Sequence, residues 1–161
     1  MADRPLSERE REILAFLLSA PGLPDAEVLR RQAEVAVCSG SCPCGCASID
    51  VTVDPSAAPQ AGDCPLVEAF IEDIRAVHER EPLVFWTWKD GGWNRWRRHR
   101  RRGHYDPSVV PTNKDFEGYI GLILWVSGGW LEGVEIHSVG NFRSPRTFPP
   151  ADLFDPPFMR E

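Results

Sequence analysis

Two long runs near the C-terminal end constrain the fold most. Tyr119 to Val126 and Trp130 to Ser138 are rich in branched and aromatic residues, and Ser127-Gly128-Gly129 separates them. Such side chains fit a pleated, half-buried surface, and paired glycines supply the positive φ of a tight reversal, so the pattern predicts a β-hairpin. Leu131 falls out of phase with Val134 and Ile136, which predicts a bulge near Glu132-Gly133. A hairpin this long needs partner strands on its edges and a layer over its apolar face.

The preceding chain offers both. Ser7-Glu8-Arg9-Glu10 is a capping-box pattern, and Ile13, Leu14, Phe16, Leu17 and Leu18 follow at helical spacing, predicting a helix from Ser7 to Ala20. Pro21, Gly22 and Pro24 end it, and Asp25 stands where it would cap a second helix, Ala26 to Ala33. Glu34 to Cys38 and Ser48 to Val53 read as strands, the second setting Ile49, Val51 and Val53 against Asp50 and Thr52. The cysteine-rich stretch between them then connects two paired strands.

From Pro65 to His78 the apolar positions Val67, Phe70, Ile71, Ile74 and Val77 fit the helical period and predict a third helix, although Leu66 to Ile71 alone also reads as an edge strand. Leu83 to Trp88 reads as a strand that returns through Lys89-Asp90-Gly91-Gly92 along Trp93 to Trp96. Arg97 to Asp115 lacks apolar periodicity and contains Pro107 and Pro111, as a long inserted loop would. The tail from Gly140 carries Pro145, Pro149, Pro150, Pro156 and Pro157, which keep it out of a central strand. It is expected to wrap the domain with Phe142, Phe148, Leu153 and Phe154 as anchors.

These elements predict an α+β fold, with two or three helices packed on one mostly antiparallel sheet of about five or six strands. With 161 residues the chain suits one domain, 1–161, including the inserted loop 97–115 and the wrapping tail 140–161. The expected core is Leu14, Leu17, Ile49, Val51, Val84, Ile120, Leu122, Leu124, Val134 and Ile136. No apolar run reaches the roughly 18–20 residues of a membrane span, and the first ten residues are charged where a signal peptide is apolar. A soluble cytoplasmic protein is the expectation, without a membrane partner.

Four of the five cysteines, Cys38, Cys42, Cys44 and Cys46, fall within nine residues, and Cys64 follows. In a reducing compartment a disulfide framework is not expected, which leaves metal, redox chemistry or plain burial. Zinc ligands usually pair with two intervening residues, so that both thiolates reach one tetrahedral ion at about 2.3 Å. The single-residue gaps here would string the sulfurs along an extended chain, unless Pro43 and Gly45 curl the loop. Cys64 or one of His78, His99, His104 and His137 would then complete a zinc site drawn from Cys38, Cys42, Cys44 and Cys46. Small buried cysteines, and a redox or other metal site, stay open beside it.

A second surface is basic and aromatic. Net charge is −6, yet Arg95, Arg97, Arg98, Arg100, Arg101 and Arg102 contribute +6, so the remainder carries −12. With Trp93 and Trp96 these arginines resemble a stacking and phosphate-neutralising surface for single-stranded nucleic acid. The surrounding negative charge opposes a polyanion, and an acidic protein partner or a second copy of the chain would satisfy the same arginines. Phosphate loops, nucleophile elbows, zinc-protease and dinucleotide motifs are all missing from the sequence, and Glu135 with His137 on one strand face reads as a surface pair.

Three motifs in order resemble a family of small bacterial domains without an assigned activity. They are Arg4-Pro5-Leu6 with Glu12-Ile13-Leu14 and Phe16-Leu17-Leu18, then Cys44 to Asp50, then Leu122 to Val126 with Gly129, Leu131, Val134-Glu135-Ile136 and Phe148-Pro149-Pro150. The resemblance implies the fold and carries no function with it. The expected function is a non-catalytic protein-binding module with zinc in its cysteine loop. A single-stranded nucleic-acid binder and a thiol- or metal-dependent enzyme are the alternatives.

Overall fold

The structure is a computed structural model that describes residues 3–83, 118–140 and 142–160. Among the described residues seven strands form one antiparallel sheet: β1 (Arg4–Pro5), β2 (Val37–Ser41), β3 (Ile49–Thr52), β4 (Leu66–Ile71), β5 (Gly118–Ser127), β6 (Trp130–Gly140) and β7 (Phe158–Arg160), in the spatial order β1-β2-β3-β6-β5-β4-β7. The α-helices among the described residues are α1 (Glu8–Leu17), α2 (Ala26–Val35) and α3 (Ile74–Arg80). The α+β class holds, with more strands than expected. No helix among the described residues is long and apolar enough to cross a membrane.

The hairpin β5–β6 is the spine. Its register runs from Gly118↔Gly140 to Ser127↔Trp130 and shifts where Trp125 faces Gly133 and Val126 faces Leu131, so Glu132 is the extra residue of the predicted bulge. The shift brings Leu131 back to the buried side. Ile120, Leu122 and Leu124 of β5 and Val134 and Ile136 of β6 join Ile49, Val51, Val67, Ala69 and Ile71 in one core with Ile13, Leu14, Leu17 and Leu29 of the helices. Every expected core residue among those described is buried; Val84 lies outside them.

At α1 the capping box is complete. Ser7 Oγ accepts from the Glu10 amide at 3.3 Å, and the Glu10 carboxylate accepts from the Ser7 amide at 2.7 Å. Arg4 holds both oxygens of that carboxylate, at 2.8 and 2.6 Å, and keeps it below the usual carboxylate range. This pair fastens edge strand β1 to the helix. The helix stops at Leu17, short of the expected Ala20, because the last amides bond three residues back (Ser19 to Phe16, Ala20 to Leu17) and tighten the turn. Asp25 stands at the N-cap of α2, its carbonyl accepting from the Leu29 amide at 3.0 Å, but its side chain makes no capping bond. It sits at φ 49, and its carboxylate accepts from the Gly62 amide at 2.8 Å.

The helix expected from Pro65 to His78 is two elements. Leu66–Ile71 is strand β4, paired with β5 on one side and β7 on the other, and α3 begins only at Ile74. Val67, Ala69 and Ile71 satisfy the strand period and Val67, Ile71 and Ile74 the helical one, so two ladders of backbone hydrogen bonds decide in favour of the strand. Asp73 breaks the run by accepting from the Ala76 amide at 3.2 Å as the cap of α3.

In the tail, Phe142, Phe148 and Phe154 are buried anchors and Leu153 is half-buried, while Phe158–Arg160 adds an edge strand beyond Pro157. The strand from Leu83 to Trp88, its return along Trp93 to Trp96 and the loop 97–115 lie outside the described residues, apart from Leu83.

Gly129 in the hairpin turn has φ +79, and a Cβ there would collide with the carbonyl oxygen of Ala61. Gly129→Ala is therefore expected to lower stability by about 2 kcal/mol, since neither the left-handed backbone nor the approaching chain accommodates a side chain. The midpoint of denaturant unfolding measures it, and Gly128→Ala, whose Cβ would meet open space, should cost less.

Candidate metal centre

The cysteine loop joins β2 to β3, and its shape begins in their ladder. Cys38 pairs with Val51 and Gly40 with Asp50, so Ser39 is an extra residue that shifts the register. The Asp50 side chain lies where a Cβ on Gly40 would stand, which suits the position to glycine. Past Ser41 the ladder continues for one bond, from the Cys42 amide to the Ser48 carbonyl at 3.1 Å. Cys42-Pro43-Cys44-Gly45 is a turn closed by the Gly45 amide on the Cys42 carbonyl at 3.0 Å, with proline at the first corner, where its fixed φ belongs. Gly45 then takes φ +80 and reverses the chain.

The far side of the loop is tied down twice. The Ala47 amide donates to the Pro145 carbonyl of the tail at 2.8 Å, and Ser48 Oγ accepts from the Ile136 amide of β6 at 2.9 Å. Ser48 Oγ in turn receives the Cys46 thiol at 3.2 Å. The curl expected from Pro43 and Gly45 is present, and it brings three sulfurs together.

Cys42, Cys44 and Cys46 have Sγ atoms all within 4.8 Å of one another, with Cys42 and Cys44 3.0 Å apart. Three thiolates at 2.3 Å from one tetrahedral ion stand about 3.8 Å apart, so small side-chain adjustments would seat an ion among these sulfurs. Cys44 is exposed and the other two half-buried, so the group opens to solvent. The three cysteines line a cleft of about 570 Å³ that Asp50, Glu132 and Glu135 also line, carboxylates that favour a cation there.

The remaining sequence candidates stand elsewhere. Cys38 is buried on the core side of β2, its thiol donating to the Gly40 carbonyl at 3.2 Å. Cys64 is half-buried with its thiol on the Pro65 carbonyl at 3.3 Å, and burial, then the charge of Asp25, push it up from the ordinary thiol value. His78 Nδ1 accepts from the Leu83 amide at 3.0 Å behind α3. His137 packs edge-on against both Phe70 and Tyr119, at ring distances of 6.3 and 5.9 Å, and its Nδ1 is the one buried side-chain nitrogen or oxygen without a hydrogen bond among the described residues. Trp93, Arg95, Trp96, Arg97, Arg98, Arg100, Arg101 and Arg102 lie outside the described residues, as do His99 and His104.

One proton is shared inside the cluster. The Cys42 thiol donates to Cys44 Sγ, which draws Cys44 down to about 7 with help from the Cys46 amide, and the same bond pushes Cys42 up to about 11. In the metal-free protein Cys44 therefore becomes a thiolate as pH rises through about 7. Its alkylation rate should climb there, well before that of Cys42. Cys42→Ala removes the donor and should move the Cys44 midpoint upward, toward the ordinary thiol value of about 8.5. Alkylation rates followed against pH by mass spectrometry measure both.

Fold and site together define an α+β domain with a three-cysteine surface loop. Comparison with protein-family models, with curated proteins and with solved structures gives no match.

Proposed function

We propose that this chain is a non-catalytic binding domain whose Cys42–Cys46 loop is held by one zinc ion and presented, with the adjoining sheet face, to a protein partner. The convergence of three thiols on one anchored loop carries this reading. Thiolates are soft ligands that favour zinc and other thiophilic ions over calcium or magnesium. Metal binding must displace the thiol protons, and a Cys44 already down at about 7 lowers that cost near neutral pH.

A closed structural zinc site has four ligands, and the loop offers three. The fourth then comes from water or from an outside side chain, which gives the loop a use in binding beyond holding itself in shape. The sheet face beside the cleft supports the partner half of the reading. Trp125 and Val139 are 44 and 48% exposed there, with Trp125 Nε1 donating to Glu135 at 3.1 Å. Membership of the bacterial family that the motifs resemble is part of the same proposal.

Elemental analysis of protein purified without a metal-affinity tag tests the zinc. The expected result is about one zinc per chain, removed by chelation; absence of metal from protein purified with added zinc sinks the reading. Partners retained by the zinc-loaded chain and released by chelator would support the binding role, and indifference to chelator would separate it from the loop.

A further inference from the structure

We propose that Cys42 and Cys44 are a thiol–disulfide exchange site for low-molecular-weight disulfides, closing reversibly to an intramolecular disulfide. Their sulfurs are 3.0 Å apart, about 1 Å beyond the 2.05 Å of a disulfide bond, and the turn that brings them there is already formed. Cys46 is the less suited neighbour, because its thiol is engaged by Ser48 Oγ, whereas the Cys42 thiol points at Cys44.

The exchange has two steps. Cys44, the exposed member, attacks one sulfur of the small disulfide as its thiolate, having released its proton to solvent; that S–S bond breaks and one small thiolate leaves. Cys42 then loses its proton and attacks Cys44 Sγ, displacing the second small thiolate. The protein dithiol is oxidised by two electrons, the small disulfide is reduced to two thiols, and the protons lost by the cysteines are returned to the leaving thiolates. A bond across one intervening residue at an exposed turn belongs to the strained, readily reduced class, so it should reopen with excess thiol.

The consequence for metal rests on the zinc reading given above. A sulfur in a disulfide is no longer a thiolate ligand, so oxidation removes two of the three ligands and releases the ion.

The test is to incubate the reduced, metal-free protein with glutathione disulfide, block the remaining thiols and sequence the products by fragmentation mass spectrometry. Fragmentation is needed because no lysine or arginine stands between Arg31 and Arg75, so one tryptic peptide holds all five cysteines. The expected result is loss of two of the five free thiols as a Cys42–Cys44 bond, restored by dithiothreitol, and a trapped glutathione adduct on Cys44 in Cys42→Ser. A lasting adduct on Cys44 in the unaltered chain, a bond to Cys46 instead, or no reaction overturns the proposal. The two readings fail separately. A Cys42–Cys44 bond in a chain that never takes up zinc upholds the exchange alone, and zinc uptake without that bond overturns the exchange alone.

Discussion

Gln32→Leu is expected to destabilise the domain by about 3 kcal/mol, with unfolding followed by denaturant titration. Gln32 is fully buried on α2, and its amide is saturated with backbone. Nε2 donates to the carbonyls of Pro59 and Gly129, both at 2.8 Å, and Oε1 accepts from the Leu131 amide at 3.0 Å. The side chain thus joins the helix to the hairpin turn and to the loop that crosses it. Leucine fills the space and makes none of these bonds, leaving the Leu131 amide and the Pro59 carbonyl to bear the loss. Gly129 loses less, since its carbonyl keeps the Ala61 amide at 3.0 Å. Gln32→Glu should be worse than leucine near neutral pH, because a carboxylate would set acceptors against two carbonyls in a buried place. Equal stability of the leucine variant and the parent would show that this bridge contributes nothing.

The second large effect falls on metal. Cys44→Ser should weaken zinc binding by more than about 100-fold, since disturbing even a supporting contact behind a ligand costs 10–100-fold. Cys42→Ser and Cys46→Ser should behave alike, while Cys64→Ser, whose thiol is on the Pro65 carbonyl, should bind as the parent does. Competition with a chromophoric chelator reads all four. The fold should survive the loop substitutions, because the loop is tied by backbone bonds from the Cys42 and Ala47 amides and by the Ser48 hydroxyl rather than by the sulfurs. If the serine variants at the three loop positions bind zinc as tightly as the parent, these sulfurs are not its ligands.

What the sequence made legible follows from where signals are local. The β5–β6 hairpin and its bulge were readable because a two-residue period, a glycine turn and a single phase error all lie within one stretch. Helix α1 was readable from its capping box. Strand β4 was legible only as the alternative to a helix, since Val67, Ile71 and Ile74 satisfy two periods and only pairing with β5 and β7, distant in sequence, decides between them. Gln32 gave no signal at all: a glutamine on a polar helix looks solvated until the hairpin turn is known to lie against it. For the loop, the curl at Pro43 and Gly45 could be anticipated. Which three of five cysteines would meet could not, because that depends on the Ser39 register shift and on the tail carbonyl of Pro145.

Cobalt titration of the reduced, metal-free chain reads sulfur ligation itself, through thiolate-to-metal absorption. Thiolate bands are expected to saturate at one ion per chain, vanish on adding zinc and be lost in Cys44→Ser. A titration with no thiolate band, or one unchanged by Cys44→Ser, would contradict metal binding by these sulfurs.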